Sequence, residues 1–244
     1  MSIALTLKES TAEAHRLAEN RPMQKLLVRG ELDGPRLALY LRQLHHLHET
    51  LERLFDARSE QADAMAWNAD YRHSERLRAD LEALGASVQE LPVLDATTAA
   101  ARDVEARTAA NRRALIGSFY VLEGSMNGNR FIVKGLKAKH PLADRCAFTY
   151  FDPYGDEQPG RWVRFKTKLD ELDLSEADRE AVVASALAMF EGIGDIADDV
   201  MDHEACPEDS SSDGVAQVEV MEGEAGTPRC PVMRFRKRLA RADR

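Results

Sequence analysis

The chain is 244 residues long, 44% hydrophobic, and carries a formal net charge of −9. That length suits one domain with a full core, with or without a tail, and the acidic balance argues against nucleic acid as the main partner. No apolar run approaches the ~20 residues of a membrane span, and the first residues lack the basic-then-apolar pattern of a secretory signal, so the expected location is cytoplasmic.

Thr6 followed by Glu9 fits a capping box, which predicts a helix start there. His15 then projects from the middle of this helix. Its face neighbours Thr11, Ala12 and Ala18 are small, and Lys8 lies two turns back along the same face. A lone helical histidine is more often an ordinary core or surface residue, but one in a small-residue hollow leaves room for a large planar ligand. Asp33-Gly34-Pro35 opens a second helix, with the proline suited to its first turn. Its apolar stripe is Leu37, Leu41, Leu44, Leu51 and Phe55, and His48 shares it; His45, His46 and His48 together spread around the helix as on a mixed surface. A shorter helix covers 74–84 and ends at Gly85, and helix resumes near Thr98 after Pro92.

The most informative stretch lies in a long apolar helix expected from about Arg112 to Lys139 and stopped by Pro141. Gly124 and Gly128 fall at i and i+4 on one face, although a helical glycine costs roughly 1 kcal/mol relative to alanine. Either a flat or bulky group lies against the bare backbone, or the glycines serve close helix packing or a kink. Residues 148–155 read as a turn-rich connector, and a helix restarts at about Pro159. Ser175-Glu176-Ala177-Asp178 opens the last long helix, which carries Val182, Leu187, Phe190, Ile193, Ile196 and Val200. With no alternating strand pattern of any length, periodicity predicts an all-α fold. From about Glu204 to Thr227 Glu, Asp, Ser and Gly dominate, and a basic stretch follows from Met233. The expected division is a helical domain at 1–203 and a flexible, disordered tail at 204–244. Cys146, Cys206 and Cys230 do not suggest a disulfide framework.

Three of these segments carry a resemblance. The run Leu7-Lys8-Glu9-Ser10-Thr11-Ala12-Glu13-Ala14-His15-Arg16-Leu17-Ala18-Glu19-Asn20 resembles the proximal helix of heme oxygenases of the bacterial, biliverdin-producing type. Tyr120-Val121-Leu122-Glu123-Gly124-Ser125-Met126-Asn127-Gly128 resembles their distal helix, and Gly160-Arg161-Trp162-Val163-Arg164-Phe165 is similar to a third, less specific family segment. The resemblance implies a single-domain helical bundle with heme, both cofactor and substrate, between proximal and distal helices. The implied reaction opens the porphyrin at a meso carbon, giving biliverdin, carbon monoxide and ferrous iron. It needs O2 and an electron donor such as ferredoxin or a flavin-dependent reductase, with no tightly bound flavin on the chain itself.

The same resemblance assigns the residues. His15 would bind iron as a neutral imidazole. Gly124 and Gly128 would bring backbone near the opposite face and Ser125 would order distal water; Asn129, which has no family match, offers a second polar group for that water. Lys8, Tyr120 and, by a looser alignment, Lys166 would meet the heme propionates. Three departures stand out: Asn129 replaces a small residue, His45 and His48 stand where relatives tend to carry aromatics, and the chain beyond Cys206 has no counterpart in the family core. The pairs Cys206-Pro207 and Cys230-Pro231 resemble short heme-responsive Cys-Pro motifs and would place a second heme in the tail. Two other readings stay open: a non-catalytic heme carrier or sensor, and a di-iron oxidase using His45–Glu49 and His48–Glu52, for which a second Glu-x-x-His helix is missing.

Overall fold

The computed structural model describes residues 2–57, 68–144 and 146–203. The expectations placed on the tail at 204–244, with Cys206 and Cys230, lie outside the described residues. The first helix, α1 (Ile3–Ser10), starts a turn before the Thr6 box, because the Ser2 hydroxyl accepts from Leu5 N at 3.0 Å and takes the capping role. Thr6 is internal and its hydroxyl donates to Ser2 O at 3.0 Å. The expected single proximal helix is two. At Thr11 the backbone leaves the helical region, at φ −98° and ψ 0°, with Oγ1 donating back to Leu7 O at 2.7 Å, and the chain restarts as α2 (Ala12–Glu19). No residue of α2 is buried.

A third helix, α3 (Pro22–Arg29), was not foreseen; proline opens it and Gly30, at φ 69°, closes it in the left-handed region. The Asp33 carboxylate accepts from Arg36 N at 2.8 Å and begins α4 (Gly34–Asp56). Then follow α5 (Ser74–Ala83), α6 (Asp95–Ala110), which starts a turn before Thr98, α7 (Ala114–Lys139), α8 (Gln158–Asp170) and α9 (Glu176–Asp202). The Ser175–Asp178 box opens α9 as expected from sequence. The fold is all-α, with no strand among the described residues. None of their helices is long and apolar enough to cross a membrane.

The core forms where α9 crosses α7 and α6, while α4 packs over α5 and α6. Leu37, Leu41, Leu44, Leu51 and Phe55 of α4 are all buried, as the stripe requires. His45 and His48 are buried too, so the mixed-surface reading of these histidines fails. On α9 Val182, Ile196 and Val200 are buried, Phe190 and Ile193 are half-buried, and Leu187 is 38% exposed.

Close packing uses other glycines of α7 than the sequence singled out. A Cβ on Gly117 would sit 2.0 Å from Val182 O of α9, and beside it Ser118 Oγ and Ser185 Oγ share a buried 2.8 Å hydrogen bond. A Cβ on Gly135 would sit 2.0 Å from Val28 O, so α7 meets the end of α3 backbone to backbone. These two contacts set how far α7 stands from its neighbours on both sides of the glycine-rich stretch.

Candidate active site

Between α2, α7 and α9 lies a cavity of about 940 Å3. Its lining brings together Lys8, His15, Tyr120, Gly124, Ser125, Gly128 and Asn129, which span 122 positions of sequence from first to last counted inclusively. Its apolar walls include Val28, Leu44, Ile132, Phe190 and Ile193. Lys166 is not on the lining; its ammonium stands 5.9 Å from the Trp162 ring centroid.

His15 is held from two directions. Phe190 of α9 meets the imidazole edge-on, with ring centroids 5.5 Å apart. On the other side Nδ1 lies 3.5 Å from Glu19 Oε2, one turn along α2. A carboxylate facing Nδ1 favours the tautomer with its proton there, which leaves the Nε2 lone pair free for a metal. Glu19 was quoted in the proximal motif, but sequence reasoning gave it no role.

The two glycines of the distal strip differ. A Cβ on Gly128 would meet nothing within 4 Å, so that backbone is open to the cavity. A Cβ on Gly124 would lie 3.1 Å from the outer edge of the Trp162 indole. Trp162 stacks on Phe165 at 13° and occupies the space that the missing side chain leaves. The expected bare strip is therefore bare at one glycine and covered by an indole at the other. Ser125 Oγ donates to Leu122 O at 2.7 Å, which leaves its oxygen lone pairs to accept from a neighbour. Asn129 lies on the lining, largely buried, with Nδ2 3.4 Å from Met126 Sδ. A thioether is a weak acceptor, so this amide can exchange it for a stronger partner.

Sequence reasoning missed the deeper wall. Tyr150 lies on the lining although its segment was expected to be a mere connector. The Asp80 carboxylate of α5 fixes that segment, accepting from Thr149 N at 2.9 Å, Thr149 Oγ1 at 3.0 Å and Tyr150 N at 2.8 Å. Tyr150 OH is 3.0 Å from His48 Nε2. Behind His48 lie His73 and then Glu123, with His73 Nε2 3.3 Å from Glu123 Oε2 and 3.2 Å from Tyr154 OH. Burial holds His48 well below the usual histidine range and pulls His73 to about 3, with Arg76 and Arg161 adding to the latter. Burial also pushes the Glu123 carboxyl up to about 7, against a hydrogen bond from Tyr154.

The His48–Glu52 pair needed by a di-iron site does not form. Glu52 is committed to the start of α5, accepting from His73 N and Ser74 N at 2.9 Å each and from Ser74 Oγ at 2.6 Å. His48 turns to Tyr150 instead.

Glu123 should leave a mark on stability. Its folded value of about 7 lies above the ordinary 4.5. The unfolded chain therefore releases this proton first as pH rises. The favourable contribution is complete below about pH 4.5 and is lost as pH climbs through about 7. Between pH 4.5 and 8 the parent should lose up to roughly 3 kcal/mol that Glu123→Gln keeps. Urea unfolding at several pH values checks this; parallel curves for the two proteins would refute it.

Comparison with known proteins identifies the family and the fold. Residues 1–198 match the family described as heme oxygenase. A heme oxygenase of Xanthomonas campestris pv. campestris (strain 8004) is 32% identical over 169 residues, covering 69% of this chain and 92% of that one. Among solved structures, heme oxygenase-2 from Synechocystis sp. PCC 6803 in complex with heme and NO superposes with a TM-score of 0.74 at 19% identity, covering 83% of this chain and 86% of that chain. A heme oxygenase from Leptospira interrogans gives 0.71 at 19% identity, covering 81% of this chain and 98% of that chain. With the family match over most of its length and this fold around its cavity, the chain belongs to the heme oxygenase family.

Proposed function

We propose that the cavity between α2 and α7 takes heme as a substrate, with His15 Nε2 on the iron and the open backbone at Gly128 toward the opposite face. As a family member the chain is an enzyme of heme degradation, and biliverdin is the expected product. One observation carries the reading: a histidine with a free Nε2 and the open backbone of α7 at Gly128 line the same largely apolar cavity. Bound heme supplies the iron that activates O2 and the meso carbon that is attacked. The chain's residues do the rest. Glu19 and Phe190 fix the imidazole plane, Lys8 and Tyr120 offer a cation and a hydroxyl to the propionates, and the apolar walls exclude bulk water. Gly128 limits the space open to a small ligand on the distal side. Ser125 and Asn129 supply polar atoms there.

Titrating heme into the protein tests the reading. A Soret band saturating at one heme per helical domain is expected, followed by its loss and a bilin spectrum on adding O2 with ferredoxin or a flavin-dependent reductase. Tight heme binding without ring opening under those conditions would favour a carrier or sensor. We also propose that the helical body at 1–203 suffices: a chain ending at His203 should bind one heme and open it at the parent's rate, and loss of turnover in a folded chain of that length would assign the tail to the site.

Asn129→Gly gives a further expectation. Removing the amide should leave His15 ligation intact while changing the autoxidation rate of the ferrous-oxygen complex or the ratio of bilin isomers. Stopped-flow spectra and chromatography of the products read both; parent-like values in each would show that the amide keeps to Met126.

A further inference from the structure

Gly124 has no side chain, yet the space in front of it is filled. A Cβ there would stand 3.1 Å from Cη2 of Trp162, with Cζ2 and Cζ3 at 3.5 and 3.7 Å. The indole is itself braced. It lies flat on Phe165, with centroids 5.2 Å apart at 13°, and it tilts against Tyr120 at 5.4 Å. Phe165 is 1% exposed and meets Phe119 at 5.2 Å and Tyr71 at 6.4 Å, so the brace runs into the core. The Lys166 ammonium stands 5.9 Å from the indole centroid. A large ring held by the backbone of α7, by Tyr120 and by a buried aromatic cluster is a fixed wall, not a swinging one. Trp162, Tyr120 and Gly124 line the same cavity as His15.

We propose that Trp162 is a specificity-determining residue: it sets the angle at which heme lies about the His15–iron axis, and so selects the meso carbon that is opened. The proposal rests on the heme-binding reading above. With iron held at His15 Nε2, the macrocycle keeps one in-plane freedom, rotation about the iron–nitrogen bond. Apolar surfaces such as Ile132, Phe190 and Ile193 oppose that rotation weakly, because apolar contact is non-directional. A projecting wall opposes it strongly. The rim of heme alternates in width: a meso carbon carries only hydrogen, while the pyrrole carbons beside it carry methyl, vinyl or propionate groups. An indole edge standing into the cavity admits the narrow meso edge and collides with a substituted pyrrole edge. Gly128 lies one turn, about 6 Å, further along α7. A Cβ there would meet nothing within 4 Å, so no such wall stands at that end. The two ends of the glycine strip therefore differ in shape, and that asymmetry allows four chemically similar meso positions to be told apart.

Trp162→Leu and Trp162→Phe, made in the full chain, test this. Trp162 is only half-buried and the buried Phe165 stays beneath it, so both variants should fold. The seat is read without turnover from the proton NMR spectrum of the ferric heme–cyanide complex, whose shifted heme methyl signals report the angle of the macrocycle against the His15 imidazole. The parent should show one methyl pattern and one main bilin isomer. Trp162→Leu should keep the His15 ligation, show a second methyl pattern, and raise the ratio of minor to main isomer at least about fivefold. Trp162→Phe keeps a flat ring of shorter reach and should raise that ratio at least about twofold. If the leucine variant fails to fold, the phenylalanine variant decides by the same two readouts. A folded variant with the parent's methyl pattern and isomer ratio would overturn the proposal, even at lower heme affinity, since it would reduce Trp162 to packing. A parent with several methyl patterns would overturn it as well. A parent that binds no heme would instead sink the heme-binding reading.

Discussion

Replacing His15 with alanine should abolish the neutral-imidazole spectrum of the heme complex and lower ring opening by more than about a hundredfold, beyond what loss of a supporting residue costs. The reason is geometric. His15 reaches the cavity from α2, opposed by Phe190 and backed by Glu19, and no second histidine lies on the lining. Alanine leaves a hollow among Thr11, Ala12 and Ala18 that a free imidazole can enter, so added imidazole should restore the spectrum and part of the turnover. The fold should be unaffected, since His15 is on the exposed, unburied helix. Glu19→Gln should give a milder loss, with the iron–imidazole stretch in resonance Raman shifted as Nδ1 gives up less of its proton. An unchanged heme spectrum in His15→Ala would remove the histidine from the site.

Gly117→Val should be strongly damaging to the fold, costing at least about 3 kcal/mol. Even the Cβ would stand 2.0 Å from Val182 O and 2.8 Å from Ala186 N, both backbone atoms of α9 that cannot turn aside. The helices must part, and the buried Ser118–Ser185 bond at 2.8 Å parts with them. Gly128→Ala is the matched control. Its Cβ meets nothing within 4 Å, so the fold should hold or gain up to about 1 kcal/mol of helix propensity, while heme affinity falls. Thermal unfolding of the two variants decides the matter: a Gly117→Val protein melting with the parent would show that α7 and α9 have slack the packing denies.

Much of this was legible in the sequence because it is periodic. The Asp33-Gly34-Pro35 and Ser175–Asp178 starts act through neighbours one turn away, and α4, α7 and α9 appeared near their expected bounds. The lining from Lys8 to Asn129 could be named because its motifs are contiguous. What escaped depends on distant partners. Trp162 fills the space at Gly124 from α8, Gly117 and Gly135 are packing glycines only because of α9 and α3, and Tyr150 reaches the cavity because Asp80 holds its backbone. His48 was misread for the same reason: Tyr150 and His73, which cover it, lie more than twenty residues away. The split at Thr11, where the backbone turns to φ −98° and ψ 0°, has no signal in the composition of the run.

The ligand-bearing helix α2 has no buried residue of its own. Among its ties to the body are the Phe190 contact of His15 and, just past its end, the Arg21 ion pairs with Asp195 and Asp198 of α9. A segment so lightly tied opens at low free energy, and its amides should exchange with solvent well before those of α7. In the proposed arrangement the iron is thus a latch as well as a reactant. Heme entry clasps α2 to the body through His15, and ring opening, by letting the iron go, undoes that clasp. The product can then leave past a door that the reaction itself has unfastened, with α7 and α9 keeping their places.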